Sequence, residues 1–175
     1  MSIRPPDTRP MGIEVAAMRR RHLRGVLAVE EQVYPRPWSG SLFLSEMSLR
    51  SSRAYFVARS GRSVVGYGGV MLSDDDAHVT TLAVDPDHQR RGIGTRLMLT
   101  LTRAAVQRGA RHLTLEVRSN NIAAQALYRR FGLAPVGTRP GYYTATNEDA
   151  LIMWVHDIDT PEYSARLSGI EEELR

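Results

Sequence analysis

The chain contains no cysteine. Disulfides, thiolate zinc sites and cysteine nucleophiles are therefore excluded together. No stretch approaches the roughly 18 uninterrupted apolar residues that cross a bilayer as a helix. Aromatic residues make up only 7% of the chain. They are not interleaved with arginine in the way that stacking platforms for single-stranded nucleic acid require. The five histidines (His22, His78, His88, His112 and His156) lack the His-x-x-x-His spacing of a metal pair. No serine stands in a Gly-x-Ser-x-Gly nucleophile elbow. Residues 1–11 hold three prolines and no apolar h-region, so they read as a disordered leader and not as a secretory signal.

What is present fits one soluble, cytoplasmic domain. The 175 residues are 42% hydrophobic and 24% charged, which suits a single core of ordinary size. Basic residues number 23 against 19 acidic, a net charge of +4. Such a surface suits nucleic acid, an acidic partner or an anionic cofactor, and does not by itself choose among them. The run Arg19-Arg20-Arg21 reads as a solvated helix face or cap.

Periodicity predicts a strand over 12–18, a helix over 19–33 broken by Tyr34-Pro35-Arg36-Pro37, and a short helix capped by Ser39. Strands follow over 54–59, 63–72 and 77–84, joined by links short enough for antiparallel hairpins. A helix over 95–108 leads to an alternating strand over 111–117, and Asn120 or Asn121 caps the next helix, to Phe131. Two last strands are placed near 134–138 and 150–156. Antiparallel strands followed by one strand–helix–strand crossover make an α+β fold with a single mixed sheet, mostly antiparallel, flanked by helices. The domain is placed at 12–158. Residues 159–175 read as an extension, a weakly amphipathic helix outside the core, with Thr160 and Pro161 at its start.

Chemistry concentrates at three points. Gln89-Arg90-Arg91-Gly92-Ile93-Gly94 lies between a strand and a helix. Two glycines let backbone N–H groups converge beside a helix start, whose unpaired donors and partial positive charge favour phosphate. It is neither a Walker loop nor a dinucleotide fingerprint, and Gly-x-Gly also occurs in ordinary tight turns, so the loop is either a phosphate seat or such a turn. Glu116 projects from a strand whose alternate positions are apolar. It is either a surface carboxylate paired with an arginine such as Arg118, or a general base whose pKa partial burial would raise. Tyr128, on the following helix, is either a packing aromatic or an acid for a leaving group.

The order of these motifs resembles the GNAT superfamily of acetyltransferases. Leu82-Ala83-Val84, Asp85-Pro86-Asp87 and Gln89 to Gly94 look like its motif A. Glu116, Asn121, Tyr128 and Phe131-Gly132 resemble its RimI-type branch, which acetylates protein N-terminal amines, notably the N-terminal alanine of a small-subunit ribosomal protein. Pro37-Trp38-Ser39 and Arg139-Pro140-Gly141-Tyr142-Tyr143 resemble that branch's flanking segments. The resemblance implies acetyl-CoA as co-substrate, no metal, and direct transfer in a ternary complex. Leu82, Ala83 and Val84 would present backbone groups to acetyl-CoA, with N–H groups near Val84 steadying the oxyanion. Arg90, Arg91, Gly92, Ile93, Gly94 and Thr95 would hold the pyrophosphate, and Asn121 the pantetheine arm. Glu116 would be the base and Tyr128 the acid, while Trp38, Arg139, Tyr142 and Tyr143 would meet the acceptor. Partners implied are acetyl-CoA and a protein or peptide N-terminus, with neither membrane nor direct nucleic acid binding. Alternatives are transfer to a lysine side chain or small amine, or a non-catalytic CoA-sensing or RNA-binding module.

Overall fold

A computed structural model describes residues 12–175, and the leader assigned to 1–11 lies outside them. Among the described residues, seven strands form one sheet in the order β1-β2-β3-β4-β5-β7-β6. β1 is Ile13–Ala17, β2 Arg53–Ser60, β3 Ser63–Ser73, β4 Asp76–Val84, β5 His112–Arg118, β6 Ala134–Tyr143 and β7 Glu148–Val155. Five α-helices accompany them: α1 Leu23–Val33, α2 Gly40–Ser48, α3 Ile93–Gln107, α4 Ile122–Arg130 and α5 Pro161–Glu173. Only β4 and β5 pair in parallel, across the α3 crossover, and every other pairing is antiparallel.

The helices pack on opposite faces of the sheet. Val26 and Val29 of α1 and Phe43 of α2 bury against Tyr55, Val57, Tyr67 and Ala83. On the other face, Met98, Leu101 and Ala105 of α3 meet Leu113, Leu115 and Val117 of β5. That alternation on β5 sends Thr114, Glu116 and Arg118 to the α1–α2 side.

Local chemistry starts the helices where the sequence places the caps. Ser39 accepts the Leu42 N–H, Asn121 the Ala124 N–H and Thr160 the Tyr163 N–H. The loop before α3 is shaped by two left-handed residues, Arg90 at φ 62° and Gly92 at φ 75°, the latter serving as N-cap. The helix begins at Ile93, two residues earlier than periodicity suggests, because Ile93 is buried and pins the loop to the core.

Two expectations are corrected. The sixth strand does not stop at Thr138 but runs to Tyr143. Its pairing with β7 jumps from Arg139 to Tyr143, so Pro140, Gly141 and Tyr142 arch out of register. Gly141, at φ 61°, turns this arch, and its N–H is held by Asp149 Oδ1 at 2.9 Å. The C-terminal helix is not outside the core. Tyr163, Leu167 and Ile170 are all buried in the cluster shared by α3, α4 and β5, and the Tyr163 hydroxyl donates to Phe131 O at 2.6 Å. We expect Leu167→Ala to destabilise the fold by about 2–5 kcal/mol. Urea denaturation checks this, and an unchanged midpoint would mean that α5 adds nothing to the core.

Candidate active site

β4 and β5 pair only over Asp76–His112, Ala77–Leu113 and His78–Thr114, and then part. From Val79 onward the β4 edge has no strand partner on that side, and the opening forms a cleft of about 440 Å³. Thr80 is the extra residue of a bulge, since Gly69 faces Thr81 while Val70 faces Val79. The cleft is walled by β4 from His78 to Leu82, by β5 from Leu115 to Arg118, by Tyr34 and Trp38 between α1 and α2, by Asn121 and Tyr128 of α4, and by Tyr142 and Tyr143 of the β6 arch.

Glu116 stands one pleat beyond the last parallel pair, and its side chain is 12% exposed. Its Oε2 is hydrogen-bonded to His78 Nε2, and its Oε1 lies 3.6 Å from the Arg139 guanidinium. Pairing with Arg118 does not occur. Arg118 turns instead to Glu148 at 3.6 Å and to Thr146 Oγ1 at 2.9 Å, and stacks over the Tyr143 ring at 4.1 Å. The Glu116 carboxylate is thus fixed at both oxygens yet open to the cleft.

Tyr128 is buried, and burial pushes its phenol well above the ordinary range, with Tyr34 and Tyr143 adding to the shift. Tyr143 is pushed up to about 12, again by burial, against the opposing pull of Arg118. Both stay protonated at neutral pH and can donate. Asn121 Oδ1 is engaged as the α4 cap at 3.1 Å from the Ala124 N–H, which leaves its NH₂ for a ligand.

Of the residues singled out from the sequence, Trp38, Leu82, Glu116, Asn121, Tyr128, Tyr142 and Tyr143 share this one cleft. Arg139 reaches it through Glu116 and lies over Tyr142 at 5.6 Å. Ala83 and Val84 continue β4, while Arg90, Arg91, Gly92, Ile93, Gly94 and Thr95 lie past its end, at the start of α3, outside the cavity. There the first helical bond runs from Arg96 N–H to Gly92 O, so the amides of Ile93, Gly94 and Thr95 precede the ladder. The cleft and this ring of donors lie in line along β4. A ligand with a reactive end and a phosphorylated end fits such a layout.

Sequence reading missed His78, Tyr34 and Glu30. The alternation of β4 marks His78 as facing one side, but its contact with Glu116 depends on the parallel register. The Tyr34 hydroxyl donates to Leu82 O at 3.3 Å, bracing the free edge of β4. Glu30, on α1, is buried, accepting from the Trp38 N–H at 3.0 Å and from the Tyr67 hydroxyl. It anchors the α1–α2 bend, so that Trp38 lines the cleft and packs 5.2 Å from Phe43. The chain has no lysine, so each charged donor here, Arg36, Arg118 and Arg139, is a guanidinium.

With this geometry in place, the comparisons are specific. Residues 22–133 match the family described as Acetyltransferase (GNAT) family. The chain is 37% identical to the N-alpha-acetyltransferase RimI of Mycobacterium tuberculosis, over 84% of this chain and 93% of that protein. It is 33% identical to the [ribosomal protein bS18]-alanine N-acetyltransferase of Escherichia coli K12, over 79% and 94% respectively. The crystal structure of the E. coli ribosomal-protein-S18-alanine N-acetyltransferase superposes with a TM-score of 0.75 at 30% identity, covering 83% of this chain and 94% of that one. The chain belongs to the GNAT family of acetyltransferases. It is an N-acetyltransferase with acetyl-CoA as co-substrate.

Burial raises the pKa of Glu30 above its ordinary 4.5, while the Trp38 N–H pulls the other way. A carboxyl with a raised folded pKa holds its proton more tightly folded than unfolded. Its contribution is fully present below 4.5 and is lost as pH rises through the folded value. Comparing wild type with Glu30→Gln by thermal denaturation across about pH 4 to 8 isolates it. Wild type should lose stability relative to the variant over that rise, and parallel curves would refute burial as the cause.

Proposed function

We propose that the chain acetylates the α-amine at a protein N-terminus, foremost an N-terminal alanine of a ribosomal protein, in the cytoplasm. The carrying observation is Glu116, held between His78 and Arg139 where β4 and β5 part, in the cleft that also holds Tyr128. The relatives named for N-terminal alanine or N-alpha transfer support the acceptor class.

An N-terminal amine has a pKa near 7.7–8.0, so a single proton must leave before its nitrogen attacks. Glu116 takes that proton, directly or through a water, and His78, partly exposed at 27%, gives it an exit to solvent. The nitrogen attacks the thioester carbonyl carbon of acetyl-CoA, the C–N bond forms, the C–S bond breaks, and sulfur departs with the electron pair. Tyr128 donates its phenolic proton to the departing thiolate, and the second proton that the nitrogen sheds as the amide forms restores it. Leu82, Ala83 and Val84 offer backbone groups along the open edge of β4, and N–H groups near Val84 steady the carbonyl oxygen. Gly92 to Thr95, with Arg90 and Arg91, seat the pyrophosphate, and the Asn121 amide meets the pantetheine arm. Trp38, Arg139, Tyr142 and Tyr143 shape the acceptor entrance.

Glu116→Gln and Tyr128→Phe should each lower kcat, about 10²–10⁴-fold for the base, with acetyl-CoA binding retained. Steady-state kinetics with calorimetric binding decide this, and normal turnover in both variants would remove the assigned roles. A mass-read screen of short peptides with free and with blocked N-termini should give product on the free ones. Product confined to blocked, lysine-bearing peptides would overturn the α-amine reading.

A further inference from the structure

The family match covers residues 22–133, so α5 lies outside the matched residues. Its far end returns to the start of α3. Leu174 O accepts from the Arg96 guanidinium at 2.6 Å, and a Cβ placed on Gly92 would sit 3.0 Å from the Leu174 side chain. Glu171 pairs with Arg103 at 3.0 Å. Glu173 holds Arg130 Nη2 at 2.6 Å, while Arg130 Nη1 lies 3.4 Å from Thr95 Oγ1, on the third residue of α3. The Arg130 guanidinium, which reaches Thr95 in the first turn of α3, therefore already carries an anion supplied by the chain itself.

This contact does not hold α5 in place. Tyr163, Leu167 and Ile170 are buried, the Tyr163 hydroxyl is bonded to Phe131 O, and Arg166 donates to Arg130 O at 3.1 Å. The Arg130 and Glu173 side chains are 43% and 66% exposed, and such pairs contribute little to stability. A phosphate group, with more charge and more acceptor oxygens than a carboxylate, outcompetes it for a guanidinium.

We propose that Arg130 is a further ligand for a phosphate group of acetyl-CoA, and that Glu173 occupies its guanidinium until the coenzyme displaces it. The proposal rests on the reading of the α3 start as the coenzyme's phosphate seat. Arg130 is thus latched in the free protein, facing the seat but neutralised. The Glu173 carboxylate lets go as the coenzyme enters, and pairs again when CoA leaves. Affinity for the coenzyme is set partly by how well Glu173 competes.

The test is calorimetric binding of acetyl-CoA, without acceptor, to the full chain and to Glu173→Gln, Arg130→Gln and the double variant. Glu173→Gln should tighten binding about two- to fivefold, the worth of an exposed ion pair. Arg130→Gln should weaken it about tenfold. In the Arg130→Gln background the second change should have no effect, because the competitor then has nothing to hold. Repeating the series with 3′-dephospho-acetyl-CoA assigns the phosphate. A persisting Arg130 penalty places the contact on the pyrophosphate, and a vanished one on the 3′-phosphate. Unchanged or weakened binding in Glu173→Gln, with a lower Tm, would overturn the proposal and make the contact a brace. Wild type that fails to bind acetyl-CoA at all would overturn the seat itself.

Discussion

The parting of β4 from β5 after three residue pairs is the constraint on which the site depends. A parallel pair continued to its end would satisfy the β4 edge and close the sheet. Once the strands diverge, the backbone of Val79 to Val84 is left with donors and acceptors that a ligand can use, as buried peptide groups demand partners. The bulge at Thr80 and the Tyr34 bond to Leu82 O stabilise that open edge from either flank. Because Glu116 lies two residues past Thr114, the last paired position of β5, its place at the apex of the opening is a matter of register.

Much of this was legible in the residues, wherever the determinant is local. Ser39, Asn121 and Thr160 cap helices because a short side-chain oxygen meets a free N–H within a few residues, and sequence shows such spacings directly. The face of Glu116 follows from the alternation of Leu113, Leu115 and Val117. What sequence hides is set by pairing between distant strands. His78 is 38 residues from Glu116, and only the β4–β5 register brings them together. The same holds for Arg118, adjacent on its own strand face yet committed to Glu148 and Tyr143. Tyr163, Leu167 and Ile170 make one narrow stripe among charged neighbours, which reads as a surface helix until α3 and α4 supply the surface it covers.

On the proposed assignment, the acceptor side is built by different means from the donor side. The proposed coenzyme end uses a helix start and a left-handed glycine, features that depend on backbone geometry. The acceptor end uses an arch in β6, where Pro140 interrupts the ladder and Gly141 turns it, so that Tyr142 and Tyr143 reach the cleft. Their rings pack edge to face at 5.1 Å, and Arg118 and Arg139 lie over them. The β6–β7 pairing breaks register twice, between Pro135 and Gly137 and across the arch from Arg139 to Tyr143.

The all-arginine lining of the cleft has a consequence for the reactive thioester itself. A lysine beside an activated acetyl group is a competing nucleophile once it loses its proton, whereas a guanidinium stays charged and inert at any working pH. Arg36, Arg118 and Arg139 can therefore attract and orient charge around a loaded acetyl donor without consuming it. A chain with no lysine anywhere has removed side-chain amines as a sink for its own reagent, and can wait, charged with acetyl-CoA, for an amine that arrives from outside.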